Sequence, residues 1–144
     1  MKRLTMSCVA LSMFVTVAAA AELPKPLVDA YLQVQTGLTN DKIDNLASNA
    51  KAIETAATAL GADAAAVVEG AKKLGAAKDL AAARTAFGEM SEALVTYVDK
   101  SKTSLGDLQV AFCPMVRKPW LQKEKDIRNP YYGTEMLTCG SFKK

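Results

Sequence analysis

The chain has 144 residues, with 18 Lys and Arg against 15 Asp and Glu, and half of its residues are hydrophobic. This length fits one modest domain. Because the sequence contains no histidine, it cannot form a Ser-His-Asp or Cys-His catalytic arrangement or an imidazole general base. The small and scattered positive excess also lacks the basic patch of a nucleic-acid-binding protein. We therefore expect a binding protein that is not an enzyme and has no nucleic-acid partner.

Residues 1–21 have the pattern of a secretory signal peptide. A basic head is followed by an apolar stretch over residues 4–17 and by a small-residue cleavage region over residues 18–21. The apolar stretch is shorter than a bilayer span, so we expect cleavage near Ala21 and a periplasmic protein without a membrane anchor. Cleavage removes Cys8 and leaves Cys113 and Cys139 in an oxidising compartment, where a disulfide between them is the default expectation.

From Pro26 onward, apolar residues recur every three or four positions, which is the period of amphipathic helices. Four such stripes lie within residues 27–38, 43–60, 64–74 and 80–97. Thr39 and Asn40 are placed to cap the second helix, and Asp79 is placed to cap the fourth. Short connections make neighbouring helices antiparallel. The sequence therefore predicts a mainly α fold, with an up-down four-helix bundle over residues 22–102.

Met90 lies on the fourth stripe, in register with Phe87 and Leu94. A methionine at this spacing is typical of core packing, because its flexible side chain fills gaps between apolar neighbours. We therefore expect Met90 to be a core residue with no part in a metal site.

After Ser101 the helical period ends, and prolines and glycines divide residues 103–144 into short pieces. Alternating polar and apolar residues predict two short strands over residues 107–113 and 136–142. If these strands pair, Cys113 and Cys139 become neighbours. We expect this segment to pack on the bundle as part of the same domain.

Two pairs of sulfur residues flank the loop between the predicted strands. They are Cys113 with Met115, and Met136 with Cys139. Thiolate and thioether are soft ligands that favour Cu(I) among the biologically common metals. Residues two apart on an extended segment project to the same face, whereas the second pair, three apart, needs a turn to converge. These four residues are therefore the predicted metal ligands, and Cu(I) is the predicted ion.

The same segment contains a longer motif. Its parts are Cys113-Pro114-Met115, Trp120-Leu121-Gln122, Ile127-Arg128-Asn129-Pro130-Tyr131-Tyr132-Gly133, Met136-Leu137 and Cys139-Gly140. This pattern resembles an uncharacterised family of exported bacterial domains, which occur alone and at the C-terminal end of periplasmic adaptor proteins of copper/silver efflux systems. Relatives often have a longer, glycine-containing insert where this chain has Arg117-Lys118-Pro119.

The resemblance implies periplasmic copper or heavy-metal handling. It points to the same four ligands, Cys113, Met115, Met136 and Cys139, and to an efflux adaptor or another envelope metal-handling protein as the partner. The protein would then buffer Cu(I) or deliver it to the efflux system.

Alternatives remain open at this point. A Cys113–Cys139 disulfide would stabilise the fold by roughly 3–4 kcal/mol, and it would exclude the metal because it uses the same sulfurs. The protein would then be a disulfide-stapled helical interaction module that docks to an envelope partner through its aromatic loop. Trp120 is either a hydrophobic lid over the helices or a cation–π face that caps bound Cu(I). An enzyme is disfavoured, since no base is placed beside either thiol.

Overall fold

The structure, a computed structural model, describes residues 21–143. This part of the chain is mainly helical, as predicted, and has a small antiparallel sheet near its end. The predicted signal peptide, apart from Ala21, and Cys8 lie outside the described residues. The helices are α1 (Lys25–Thr39), α2 (Leu46–Thr58), α3 (Ala65–Ala76) and α4 (Leu80–Ser101), and the strands are β1 (Gln109–Cys113), β2 (Lys118–Gln122) and β3 (Ser141–Phe142). Among residues 21–143, no helix is both long and apolar enough to span a bilayer.

Each helix buries its apolar stripe against its neighbours, with α1 on α2, α2 on α3 and α3 on α4. Small residues allow close approach between α3 and α4. A Cβ atom added to Gly70 would lie 2.8 Å from the Cα of Met90, so only glycine fits there. Met90 is itself fully buried, which confirms its predicted place in the core.

Of the two helix caps predicted above, one is confirmed and one is wrong. The carboxylate of Asp79 accepts a hydrogen bond of 2.8 Å from the backbone N–H of Ala82, which confirms the predicted cap of α4. The predicted start of the second helix at Thr39 and Asn40 is wrong, because α1 continues through Thr39 and α2 begins at Leu46. Asn45, directly before α2, has a left-handed backbone with φ of 56°, a conformation that asparagine tolerates better than most residues.

The sheet has three strands rather than the two predicted. β1 and β3 lie within the predicted ranges and pair antiparallel, but β2 was missed, and it forms the opposite edge in the order β2-β1-β3. Pro119 stands opposite Phe112 in the β1–β2 register, and a proline argues against a strand unless that strand lies at an edge. Four of the five β2 residues are also buried, so the strand has no alternating pattern to recognise.

A column of four aromatic rings joins the sheet to the helices. Tyr31 of α1 lies 5.0 Å from Phe87 of α4, between ring centroids, and Phe87 lies 6.0 Å from Tyr131. Tyr131 then meets the edge of Trp120 of β2 at 5.9 Å. Aromatic pairs at such distances and tilts are favourable beyond the area that they bury. The column therefore fixes the C-terminal segment on the helices.

The hydroxyl of Tyr31 makes the polar part of this junction. It lies 2.6 Å from the hydroxyl of Ser91 and accepts a hydrogen bond of 3.1 Å from the backbone N–H of Leu121. All three residues are buried, so water cannot replace these partners. Burial raises the pKa of Tyr31 well above its ordinary value, which keeps the phenol neutral.

We expect Tyr31→Phe to lower the free energy of unfolding by about 1–3 kcal/mol, because it leaves the buried Leu121 N–H and the Ser91 hydroxyl without their partner. Chemical denaturation measures this change. Tyr97→Phe on α4, where the side chain is partly exposed, is the matched control and should change stability by less than about 0.5 kcal/mol. Equal effects of the two substitutions would contradict this account of the junction.

A second junction ties the aromatic loop to α4 and to the α1–α2 connection. The guanidinium of Arg84 donates to the carbonyls of Pro130 and Leu38 at 3.0 and 3.1 Å, and to the carboxylate of Asp41 at 2.5 Å. The hydroxyl of Thr134 donates to the same carboxylate. The hydrogen bond from Thr134 and, next in size, that from Arg84 lower the pKa of Asp41, so its carboxylate stays charged at neutral pH. We call the contacts among Arg84, Asp41 and Thr134 the clasp.

Gly133 lies inside this clasp, with φ of +54°. A Cβ atom there would lie 2.9 Å from the backbone carbonyl oxygen of Leu38 and would displace the side-chain ends of Asp41 and Arg84 from their hydrogen bonds. We expect Gly133→Ala to destabilise the protein by about 3 kcal/mol or more, since it adds a steric clash to backbone strain. Gly106→Ala is the matched control, because Gly106 has φ of +59° but open space around it. Its expected cost is about 1–2 kcal/mol from the left-handed backbone alone. Equal costs in thermal unfolding would show that the clasp is not crowded.

Candidate metal centre

The structure brings Cys113 and Cys139 together. Cys113 is the last residue of β1 and is fully buried, and Cys139 is partly buried just before β3. The β1–β3 register pairs Phe112 with Ser141, so the end of β1, which holds Cys113, lies beside the segment before β3, which holds Cys139. Both cysteines are free, and the side-chain amide of Asn129 contacts the Cys113 sulfur and the Cys139 carbonyl. The predicted neighbourhood of the two cysteines is therefore observed.

The two thiols influence each other electrostatically. Burial raises the pKa of the Cys139 thiol, and the neighbouring charge and hydrogen bond of Cys113 raise it further. Two adjacent thiolates repel each other in a partly buried site, whereas a cation between them removes that repulsion. Binding of a metal would therefore release protons from the pair.

Asn129 holds the two cysteine segments together. Its side-chain amide nitrogen lies 3.2 Å from the Cys113 sulfur and donates to the carbonyl of Cys139 at 2.7 Å. Its backbone N–H donates to the carbonyl of Leu137 at 2.7 Å. In the sequence, Asn129 belongs to the turn-like Asn-Pro-Tyr-Tyr-Gly part of the motif, and no contact with the cysteines was predicted for it. A side chain's direction cannot be read from turn composition, so this contact was missed.

Each predicted methionine ligand stands in a turn. Met115 lies in the four-residue connection between β1 and β2 and is 60% exposed, while Cys113 is fully buried. The same-face arrangement predicted for Cys113 and Met115 is wrong, because the chain leaves the extended conformation at Cys113. Met136 is partly buried, and its carbonyl accepts the N–H of Cys139 at 3.0 Å, so the turn that the second pair requires is present.

Trp120 packs beneath the sulfur site as part of the core. It is fully buried, and a Cβ atom on Gly140 would lie 2.8 Å from its ring. Its indole N–H donates to the side-chain oxygen of Gln122 at 2.9 Å. These contacts fit the hydrophobic lid among the two expectations for Trp120, and the metal-capping role stays a prediction. Gln122 is part of the sequence motif, but no role was predicted for it, because its burial and its hydrogen bonds are set by tertiary structure.

Gln122 also orders the loop that follows β2. Its side-chain oxygen accepts the N–H of Arg128 at 3.1 Å, and its amide donates to the carbonyls of Glu124 and Asp126 at 2.8 and 2.7 Å. A fully buried amide with all its partners satisfied is rigid. The loop therefore delivers Asn129 to the cysteines in a fixed position.

The donor set at this centre is sulfur. Across residues 21–143 there is no cluster of three or more His, Cys, Asp or Glu side chains that could hold a metal ion. Two adjacent thiols, with a thioether two or three residues from each, are a different set, and soft sulfur donors of this kind suit Cu(I). Cys113 and Cys139 would hold the ion, and Met115 and Met136 lie close enough in the chain to be tested as additional ligands.

No family model, no curated protein and no solved structure matches the chain. The resemblance to exported domains of copper/silver efflux adaptors therefore stays a prediction, and the interpretation of the site depends on its own residues.

The unequal burial of the two thiols predicts unequal reactivity. In the reduced, folded protein we expect Cys139 to react with a soluble thiol reagent at least ~10-fold faster than Cys113, because access limits the attack on a buried sulfur. The variants Cys113→Ser and Cys139→Ser isolate each thiol, and both should react at similar rates after denaturation. A Cys113 that reacts as fast as Cys139 in the folded protein would contradict the described burial.

Proposed function

We propose that this protein binds Cu(I) through Cys113 and Cys139 in the periplasm, without catalytic turnover. The observation that supports this proposal is that two free cysteines lie on adjoining segments, where the amide of Asn129 contacts both the Cys113 sulfur and the Cys139 carbonyl. Two neighbouring thiolates repel each other in a partly buried site, and a soft monovalent ion between them would remove that repulsion without hard oxygen ligands.

Met115 and Met136 complete the ligand set in this proposal. Met115 occupies an exposed turn, so its side chain can swing without disturbing the core. Methionine has three flexible side-chain bonds and a polarisable sulfur, which makes such a movement inexpensive. The thiol pair is then the fixed part of the site, and the thioethers are its adaptable part.

The helical part acts as a scaffold in this proposal. We infer that α1 to α4 form an up-and-down bundle, since consecutive helices contact each other and short connections join them. Such a bundle presents a rigid face to the sheet, and β2 packs on α4 and α1. A metal site held by short strands and loops gains its precision from such support.

The proposed role is to buffer Cu(I) or to deliver it to an efflux system. The motif around Cys113, Trp120 and Asn129 resembles that of domains fused to periplasmic efflux adaptors, which supports an adaptor or another envelope metal-handling protein as the partner. The apparent signal peptide over residues 1–21 supports the periplasmic location.

The proposal predicts that reduced protein binds Cu(I) in an anaerobic titration against a competing chelator. Cys113→Ser or Cys139→Ser should abolish binding, and joint replacement of Met115 and Met136 by Ala should weaken it by about tenfold. Met90→Leu, which changes a methionine in the core, is the matched control and should leave the affinity unchanged. If the reduced wild-type protein binds no Cu(I), the proposed function is wrong.

A second candidate is a helical interaction module stapled by a Cys113–Cys139 disulfide. The expected docking through the aromatic loop over residues 129–133 is wrong, because that loop is buried except for the partly buried Tyr132, so a partner would have to dock elsewhere. The pairing of the two cysteine-bearing segments favours it, because a disulfide requires its two cysteines to be near neighbours. An oxidised pair has no thiolate for Cu(I). A thiol count on protein taken directly from the periplasm separates the two candidates, since the metal-binding form retains both thiols.

A further inference from the structure

The orientation of the Asn129 side-chain amide is fixed by its backbone partners. Its oxygen accepts a hydrogen bond of 2.8 Å from the N–H of Tyr131, and its nitrogen donates to the carbonyl of Cys139 at 2.7 Å. A backbone N–H can only donate, and a carbonyl can only accept. The amide therefore cannot be turned over, and the group that faces the Cys113 sulfur at 3.2 Å is an N–H donor.

The surroundings hold this donor in place. Asn129 is fully buried, so water does not compete for its hydrogen bonds. Its backbone is pinned at both ends, because its N–H donates to Leu137 and its carbonyl accepts the N–H of Gly133 at 3.1 Å. The amide consequently needs no rearrangement to meet the sulfur.

We propose that Asn129 is the positioning residue of the sulfur site, donating one N–H to the Cys113 sulfur and the other to the Cys139 backbone, and so favouring the reduced, metal-binding pair over the disulfide. An N–H hydrogen bond to sulfur stabilises negative charge on that sulfur. Such hydrogen bonds set the properties of metal-bound sulfur. The metal-binding part of this inference rests on the proposed function, whereas the redox part does not.

The redox part concerns an exchange with a dithiol buffer such as dithiothreitol. When the Cys113–Cys139 bond forms, the S–S bond of the oxidised buffer breaks, and two electrons and two protons pass from the cysteines to the buffer. The equilibrium of this exchange gives the reduction potential of the pair in protein that contains no metal.

The reduction potential of the cysteine pair distinguishes two roles of Asn129. The residue either donates a hydrogen bond that stabilises the reduced sulfur, or it only holds the two segments together. If Asn129 only holds the two segments together, its loss lowers the effective concentration of one thiol near the other, and the disulfide becomes easier to reduce. If its N–H stabilises the reduced sulfur, its loss makes the disulfide relatively more stable and the potential more negative. The two roles therefore shift the potential in opposite directions.

The experiment compares Asn129→Leu with Gln35→Met. Gln35 is a suitable match because it is also fully buried, and its amide donates to the carbonyl of Arg128, the residue before Asn129, at 3.0 Å. Both substitutions remove a buried amide that donates to the segment around Asn129, and only one removes a donor to sulfur. Asn129→Asp is the second variant, since it keeps an acceptor for the Tyr131 N–H and remains informative if Asn129→Leu does not fold.

In the folded Asn129 variants we expect the equilibrium to shift about tenfold toward the disulfide, which is a potential ~30 mV more negative. We expect Cu(I) affinity, measured against a chelator, to fall about 10–100-fold. Gln35→Met should leave both quantities within about twofold of the wild type. An unchanged or less negative potential in a folded Asn129 variant would overturn the inference.

The two proposals fail separately. A wild-type protein that binds no Cu(I), together with the expected shift in potential, would end the proposed function and leave the role of Asn129 at the thiols intact. A wild-type protein that binds Cu(I), together with Asn129 variants of unchanged potential and affinity, would end the role of Asn129 and leave the proposed function intact.

Discussion

The attachment of β2 to the helices is the constraint on which the rest of the C-terminal segment depends. Leu121 donates its backbone N–H to the hydroxyl of Tyr31, and Trp120 extends the aromatic column that starts at the same tyrosine. Gln122 then orders the loop that returns toward the cysteines. Without this attachment, a sheet with a two-residue third strand would have too little core of its own to stay folded.

The sulfur site is consequently built from distant parts of the chain. Cys113 ends β1, Cys139 precedes β3, and Asn129 stands in the loop that Gln122 orders. The short strand pairing and the hydrogen bonds of Asn129 join these segments to one another. Their arrangement depends on the helices beneath, because a side chain is held in a functional position only when its support is rigid. This explains why a small protein devotes most of its described length to helices.

Much of the fold follows from the sequence, because helical periodicity is a local signal. The Asp79 cap and the strand β1 are local as well, and both were predicted. β2 was missed since its Pro119 is allowed only at an edge, and a strand becomes an edge through tertiary pairing. The start of α2 was misplaced for a similar reason. Thr39 and Asn40 have good capping side chains, yet the chain between the helices instead turns through positive φ at Asp41 and Asn45.

The meeting of the two cysteine segments was predictable, the directions of the side chains were not, and the metal stays a prediction. Four sulfur residues in two short spans indicate a soft metal from composition alone, and strand pairing predicts that the cysteines meet. The direction of a side chain in a turn depends on backbone angles that composition does not determine. Arg117 illustrates this, because its φ of 56° helps to close the turn that leaves Met115 exposed.

The difference in burial gives the four sulfurs different tasks under the proposed function. A buried thiol that accepts a hydrogen bond from a fixed N–H would hold an ion stably. An exposed thioether can be the first group to contact a partner or an incoming ion. Thioether is the weaker donor, since it is neutral and thiolate is charged, so transfer from Met115 toward Cys113 and Cys139 runs toward stronger binding. The sequence presents these residues as equivalent pairs. Under the proposed function, the exposed Met115 would meet an incoming ion before the buried Cys113.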